Sequence, residues 1–149
     1  MEAKVSRILI INGPNLNLLG TREPEHYGTE TLEEMNGRLT DLATEIGLEI
    51  AFFQSNHEGA IIDYLHTESS NADGIIINPG ALTHYSYALR DAIVAIGTET
   101  IEIHLSNLFA RDDFRQKSVI APVCRGQICG FGFYGYAMAL SYFSDMLED

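Results

Sequence analysis

The chain has 149 residues, 46% of them hydrophobic and 20% charged, which is an ordinary composition for a water-soluble globular protein of one domain. Its 9 basic and 21 acidic residues give a formal net charge of -12. This charge disfavours nucleic acids and anionic membranes as partners, because both are held largely by lysine and arginine. An anionic substrate would need a local cluster of positive charge.

The sequence also bears on the compartment. No apolar run approaches the length of a membrane span, and residues 1–7 lack the apolar stretch of a signal peptide. Cys124 and Cys129 are five residues apart in a segment predicted as a strand, which places them on opposite faces. We therefore expect neither a disulfide nor a metal-binding pair, and we expect the reducing environment of the cytoplasm.

Apolar, β-branched runs alternate with helical patterns along the chain. A capping box of Thr31 and Glu34 begins the first long helix, and Gly47 ends it. In chain order, the pattern predicts a strand at 7–13, a helix at 31–46, a strand at 48–55, a helix at about 58–68, a strand at 74–78, a helix at about 84–96, strands at 100–106 and 123–130, and a last helix at about 134–147.

This alternation predicts an α/β fold of parallel βαβ units with right-handed crossovers. We expect a flavodoxin-like, five-stranded parallel sheet of order 2-1-3-4-5 with helices on both faces, in a single domain over residues 1–149 with a lid loop at about 18–28. Ligands of such sheets bind beyond the carboxyl ends of the strands, where the strand order reverses. Those ends carry polar groups at residues 12–15, at 78–80, and at Glu102, His104 and Ser106.

The segment 15–28 is long for a connection between a strand and a helix, and it holds Arg22 and Tyr27. Keeping a tyrosine ionised at neutral pH requires about 4 kcal/mol, because its ordinary pKa is about 10. A guanidinium about 4 Å away supplies an energy of that order at an effective dielectric constant of about 20. The alternative is a tyrosine that packs its ring beside a solvated arginine, and these two residues alone favour that alternative.

Glu102 and His104 lie on the same face of one predicted strand, because side chains on a strand repeat every second residue. A carboxylate can fix the tautomer of an imidazole and favour its protonated form, which makes a general acid. The alternatives are a structural ion pair and, with His84, half of a metal site. The position at the carboxyl end of a strand favours the catalytic acid over the ion pair.

Further groups could hold an anion at the same place. The hydroxyl of Ser106 and nearby backbone N–H groups could bind a carboxylate, and Arg111 and Arg115 follow in a segment typical of a charged surface turn. Each arginine alone is more often solvated or salt-bridged.

No P-loop motif and no dinucleotide-binding glycine motif occurs, so we expect no cofactor. A flavin- or nucleotide-binding module, a non-catalytic oligomeric scaffold and a metal-dependent hydrolase stay as alternatives.

Taken together, the motifs resemble those of the type II 3-dehydroquinate dehydratase family over residues 8–140. The resemblance rests above all on NGPNLNLLG at 12–20, FFQSNHEG at 52–59, NPGALTH at 78–84 and IEIHLSN at 101–107. It implies reversible loss of water from 3-dehydroquinate through an enolate, in the shikimate pathway, without a cofactor, a metal or a lysine Schiff base. Local departures are Leu82, Leu105, the pair Leu108 and Phe109, and Asp112.

The resemblance also implies roles for individual residues. Tyr27, ionised with the help of Arg22, would be the base; a water near Asn15 would stabilise the enolate; and His104, oriented by Glu102, would be the acid. The groups implied to bind the substrate are Asn78 for the departing hydroxyl or the same region of the ring, the backbone of Leu105 with Ser106 for the carboxylate, His84 and Arg115 for the ring hydroxyls, and Asp91 from a neighbouring subunit. Members of the family are typically dodecamers built from trimers.

Overall fold

The computed structural model describes residues 4–21 and 24–148, apart from the side chains of residues 26 and 27. The strands are β1 (Ser6–Asn12), β2 (Leu48–Gln54), β3 (Gly74–Asn78), β4 (Thr100–His104) and β5 (Gly126–Cys129). The α-helices are α1 (Pro24–Tyr27), α2 (Leu32–Ile46), α3 (Glu58–Glu68), α4 (Tyr87–Ile96) and α5 (Phe133–Met146). Short 3-10 turns lie between them at Leu16–Leu18, Ser69–Asn71, Gly80–His84, Leu108–Ala110, Asp113–Gln116 and Ala121–Val123.

The strands form one parallel sheet in the order β2-β1-β3-β4-β5, which confirms the predicted fold class. Asn12 at the end of β1 pairs in register with Asn78 at the end of β3. Glu102 of β4 is the register partner of Ile77 of β3. The carboxyl ends of β1, β3 and β4 therefore meet at one edge of the sheet.

Helices cover both faces of the sheet, and the alternation along β1 shows how. Ile8 and Ile10 pack with buried residues of α2 and α5, whereas Leu9 and Ile11 pack with those of α3 and α4. All four side chains are fully buried, as expected for a central strand covered on both faces. Two apolar layers therefore hold the sheet in place and leave its polar strand ends as the open edge.

Local sequence signals account for the ends of α2 and for the start of α4. The side chain of Thr31 accepts a hydrogen bond from the backbone N–H of Glu34 and completes the predicted capping box, and Gly47 ends α2 in the left-handed conformation at φ 81°. The predicted start of α4 at about residue 84 is wrong. The side chain of Ser86 caps α4 through the backbone N–H of Leu89, so the preceding residues form a separate 3-10 turn.

The predicted fifth strand at 123–130 is too long. A 3-10 turn with a proline in its first turn occupies Ala121–Val123, so the strand begins at Gly126 and Cys124 lies outside it. Both cysteines are free. Burial raises the pKa of the Cys124 thiol to about 12 and that of Cys129 to about 11, so both stay protonated near neutral pH. Among the described residues, no helix is both long and apolar enough to cross a bilayer.

Candidate active site

A pocket lies beyond the carboxyl ends of β1, β3 and β4. It brings together seven of the residues that the sequence singles out: Asn15, Asn78, His84, His104, Leu105, Ser106 and Arg115. Arg111 also lines it, with an apolar wall made by Leu16, Leu19 and Leu108. The pocket lies where the strand order reverses between β1 and β3, the usual position for ligands in an open parallel sheet.

The turn after β1 holds Asn15 in an unusual conformation. Asn15 has φ 71°, the only positive value for a non-glycine residue in the described part of the chain. Its backbone N–H donates to Asn56 Oδ1 over 2.9 Å, and Gln54 Nε2 donates to the same oxygen over 3.2 Å. Polar side chains at the end of β2 and just after it therefore support a strained residue at the pocket, which is where such strain commonly has a function.

The turns after β1 and β3 touch through their backbones. A Cβ atom on Gly13 would lie 2.5 Å from the carbonyl oxygen of Pro79, and one on Gly80 would lie 2.9 Å from that of Pro14. The backbone N–H of Gly13 donates to the carbonyl of Asn78 over 2.8 Å. Only residues without a Cβ allow this approach, so the two glycines hold the turns after β1 and β3 together beside the pocket, which Gly80 lines.

At the end of β4, a buried carboxylate supports the histidine of the pocket. Glu102 has no exposed surface, and His104 Nε2 is hydrogen-bonded to its Oε2. The hydroxyl of Thr83 donates to the same oxygen, and that of Ser118 donates to Oε1 over 2.8 Å. The predicted contact between Glu102 and His104 is present, whereas the two hydroxyl groups were not predicted.

These contacts determine the charge of Glu102. Burial by itself raises the pKa of the carboxyl group, but the hydrogen bond and charge of His104 and the bonds from Thr83 and Ser118 outweigh burial, so the pKa lies below its usual value. A group that accepts three hydrogen bonds is a carboxylate and carries no proton of its own. Glu102 therefore acts as a fixed negative charge behind the imidazole.

His84 has a different environment on the 3-10 turn Gly80–His84. Its Nδ1 lies 2.8 Å from the carbonyl oxygen of Lys117, and since a carbonyl only accepts, the proton sits on Nδ1. Burial lowers the pKa of His84, and the nearby positive charge of Arg115 contributes in the same direction. At neutral pH this imidazole is therefore uncharged, and its Nε2 is a hydrogen-bond acceptor.

The arginines of the pocket come from the segment 108–116, which folds into two short 3-10 turns. Arg111 Nη1 donates to Ser106 Oγ over 3.3 Å. Arg115 Nε lies 3.5 Å from Asp112 Oδ2, and it is buried without a hydrogen bond in the part of the chain that the structure describes. Most of this segment is exposed, as expected for a charged surface turn, and the two half-buried arginines also line the pocket.

Three of the predicted site residues are not placed at the pocket. Arg22 and the side chain of Tyr27 lie outside the described residues, although Tyr27 ends the backbone of α1. Asp91 lies on the exposed side of α4 and does not line the pocket, as expected for a residue that would serve a neighbouring subunit. No cluster of three histidine, cysteine, aspartate or glutamate residues able to hold a metal occurs within 4–21 and 24–148.

Comparison with known proteins places the chain in one family. The family model of the class II dehydroquinases matches residues 6–144. A 3-dehydroquinate dehydratase of Bacillus licheniformis is 61% identical over 136 residues, which is 91% of this chain and 94% of that protein. The corresponding enzyme of Pelotomaculum thermopropionicum is 59% identical over 134 residues, covering 90% and 93%.

Solved structures agree with this match. The type II dehydroquinase of Butyrivibrio crossotus is 48% identical, with a TM-score of 0.91 over 97% of this chain and 99% of that one. That of Propionibacterium acnes is 38% identical, with the same TM-score of 0.91 over 96% and 99%. The sequence match, the shared fold and a pocket built on the family's own motifs agree: the chain belongs to the class II dehydroquinase family.

Proposed function

We propose that this pocket removes water reversibly from 3-dehydroquinate to give 3-dehydroshikimate, through an enolate and without a Schiff base. Family membership makes the chain a 3-dehydroquinate dehydratase, a hydro-lyase of the shikimate pathway that leads to the aromatic amino acids. The residues and the order of events are proposed here. The observation that carries them is His104, which lines a cationic pocket and is backed by a fully buried carboxylate.

His104 is the proposed general acid. A hydroxyl group leaves poorly as hydroxide, so breaking its C–O bond requires a proton from the protein. Nε2 of His104 is hydrogen-bonded to Glu102, which leaves Nδ1 as the ring nitrogen that can deliver that proton. The negative charge of Glu102 compensates the positive charge of an imidazolium at His104, and both side chains are buried.

Tyr27 is the proposed base. As a phenolate stabilised by Arg22, it removes a proton from the carbon beside the ketone, and the C–H electrons form an enolate. A water held near Asn15 would donate to the enolate oxygen, and collapse of the enolate forms the C=C bond as the hydroxyl leaves as water. The strained backbone of Asn15 supports its assignment, since the fold maintains it at this position.

The remaining groups of the pocket suit an anionic polyol. Backbone N–H groups of Leu105 and Ser106, with the Ser106 hydroxyl, would bind the substrate carboxylate. His84 Nε2 accepts hydrogen bonds, so it would take a ring hydroxyl as a donor, while Arg115 would donate to one. Arg111 and Arg115 also provide the local positive charge that an anionic substrate needs in a chain of net charge -12.

A lysine imine is poorly compatible with this pocket. The chain has two lysines, Lys4 and Lys117. The amine of Lys4 is paired with Asp73 at the start of the sheet, opposite the pocket. Neither lysine is among the residues that line the pocket. Borohydride added with 3-dehydroquinate should therefore trap no covalent adduct, as checked by intact-protein mass spectrometry; an adduct would contradict the enolate route.

Assembly into a dodecamer of trimers in the cytoplasm is also proposed. On α4, Tyr87, Asp91 and Val94 form an exposed stripe, and the two apolar side chains are 60% and 59% exposed. Such a stripe supports a subunit contact through which Asp91 could reach a neighbouring pocket. Light scattering should give about twelve times the 16.5 kDa mass of one chain.

The decisive experiment measures the conjugated enone of 3-dehydroshikimate by its ultraviolet absorbance, with a chelator present throughout. Wild-type protein should form the enone at an undiminished rate in the chelator. Tyr27→Phe should lower kcat by about 10²-fold or more, the scale at which a general base is lost. Tyr64→Phe is the control, because that ring stacks on Phe53 away from the pocket. Wild-type kcat in Tyr27→Phe would remove Tyr27 from the mechanism.

A further inference from the structure

The hydroxyl of Tyr136 lies between two asparagines at the ends of β1 and β3. Tyr136 is on α5 and has no exposed surface. Its Oη lies 2.5 Å from Asn12 Oδ1, and Asn78 Nδ2 lies 3.1 Å from the same oxygen. Asn78 lines the pocket, whereas Tyr136 does not. The phenol therefore contacts the site from behind.

The donors and acceptors in this arrangement fix the direction of every hydrogen bond. Burial raises the pKa of Tyr136 well above its usual value, so the phenol is neutral and carries a single proton. That proton goes to Asn12 Oδ1, so toward Asn78 the phenol oxygen can only accept. At the other end of the amide, the backbone N–H of Gly80 donates to Asn78 Oδ1 over 3.2 Å. Both ends of the Asn78 amide are therefore assigned.

We propose that Tyr136 is a positioning residue that orients the amide of Asn78, so that the second N–H of Nδ2 is the group offered to the substrate. The phenol oxygen holds one end of the amide and the Gly80 N–H holds the other, so without the phenol oxygen only the 3.2 Å contact with Gly80 keeps the amide from turning by 180° and presenting a carbonyl oxygen instead. The inference rests on the proposed function and on the role that the family resemblance implies for Asn78, which is to bind the departing hydroxyl. An N–H donor stabilises that oxygen as its bond to carbon breaks, whereas a carbonyl oxygen would repel its lone pairs.

The test is a double-mutant cycle on the full-length enzyme. Asn78→Ala should lower kcat by about 10²-fold, the scale for losing one donor to a developing charge, which leaves a measurable rate. Tyr136→Phe keeps the buried ring and should lower kcat by about 10-fold, with a smaller change in KM. In the Asn78→Ala background, Tyr136→Phe should change kcat by less than twofold, because the group that it orients is gone. Tyr142→Phe removes a hydroxyl from the same helix, one that bonds Glu99, and should leave kcat unchanged.

Each outcome decides the inference. Wild-type kcat in Tyr136→Phe overturns it, and so does an equal loss in both backgrounds, which would mean that the hydroxyl acts on the structure in general. If Tyr136→Phe does not fold, Asn12→Ala replaces it: it frees the phenol proton to turn toward Asn78, and its loss of kcat should also vanish without Asn78. If wild-type protein forms no enone, the proposed function itself fails. If wild-type protein is active but the effects of Asn78→Ala and Tyr136→Phe on kcat are additive, only the role of Tyr136 is wrong.

Discussion

Replacing Glu102 by glutamine tests the support behind the proposed acid. The substitution keeps the shape of the side chain. It removes the negative charge, and it leaves one acceptor oxygen where the carboxylate had two. Oε2 faces His104 and Thr83, and Oε1 faces Ser118, whose oxygen already accepts from the backbone N–H of Ala121 over 2.9 Å. In one orientation the amide nitrogen of the glutamine faces His104 and Thr83, and in the other it faces Ser118. Each orientation therefore sets an amide N–H against a group that donates a hydrogen bond to Glu102 in the wild type.

The expected loss can be worked from these contacts. With the amide nitrogen toward His104, the ring must give up its Nε2 proton, and a neutral imidazole is a far weaker acid than an imidazolium. With the amide oxygen there, the hydrogen bond survives but the compensating charge does not. We expect kcat to fall by about 10²- to 10³-fold, within the range for general acid catalysis. KM should change little, because Glu102 is fully buried and does not line the pocket.

The assay is enone formation in wild type, Glu102→Gln, His104→Ala and the double variant, each first shown to be folded by urea unfolding. Since Glu102 acts through His104, the double variant should be no slower than His104→Ala alone. A Glu102→Gln enzyme with half the wild-type kcat or more would refute the assignment. An equal loss in the presence and absence of His104 would also refute it, since the carboxylate would then act independently of the imidazole.

Two further predictions concern stability. Gly13→Ala would place a Cβ atom 2.5 Å from the backbone of Pro79. We therefore expect a loss of about 1–3 kcal/mol in the free energy of unfolding, measured in urea, and a lower kcat in the enone assay. Wild-type values in both measurements would contradict this expectation. Asp73 accepts from the backbone N–H of Arg7 over 2.9 Å and from Lys4 over 3.2 Å, and the first of these bonds is the main reason why its pKa is lowered. A lowered carboxyl pKa stabilises the fold above the ordinary value of 3.8, and this stabilisation is lost as the pH falls through the folded value. Asp73→Asn should therefore cost about 1 kcal/mol at pH 7 and less at pH 3, whereas the same cost at both pH values would contradict this origin.

The sequence predicted the sheet and its polar edge because both depend on short-range patterns. Continuous apolar runs mark β1 and β3, and side chains two residues apart on a strand share a face, which brought Glu102 and His104 together. Tyr136 lies on the last predicted helix and is fully buried. Its hydroxyl contacts, to residues 58 and 124 positions away, have no local signature.

The rest of the site depends on irregular backbone. Ser118 reaches Glu102 only because the turns that follow β4 return the chain to the sheet, and nothing in the local sequence indicates this partner. The same turns after β4 bring Arg111 and Arg115 to the pocket. Thr83 could have been suspected from its place beside His84 in the motif at 78–84. The roles of Arg22 and Tyr27 stay predictions.

The contact of the glycine turns after β1 and β3 has a consequence for redesign. Because main chain abuts main chain at Gly13 and Gly80, a larger side chain at either position would collide with backbone, so neither glycine can be varied to reshape the cavity. Leu108, Arg111 and Arg115 line the same pocket from the segment 108–116, outside the sheet. New substrate preferences, such as tolerance of a bulkier hydroxy acid, should therefore be sought by randomising residues of that segment while the two glycines are kept invariant.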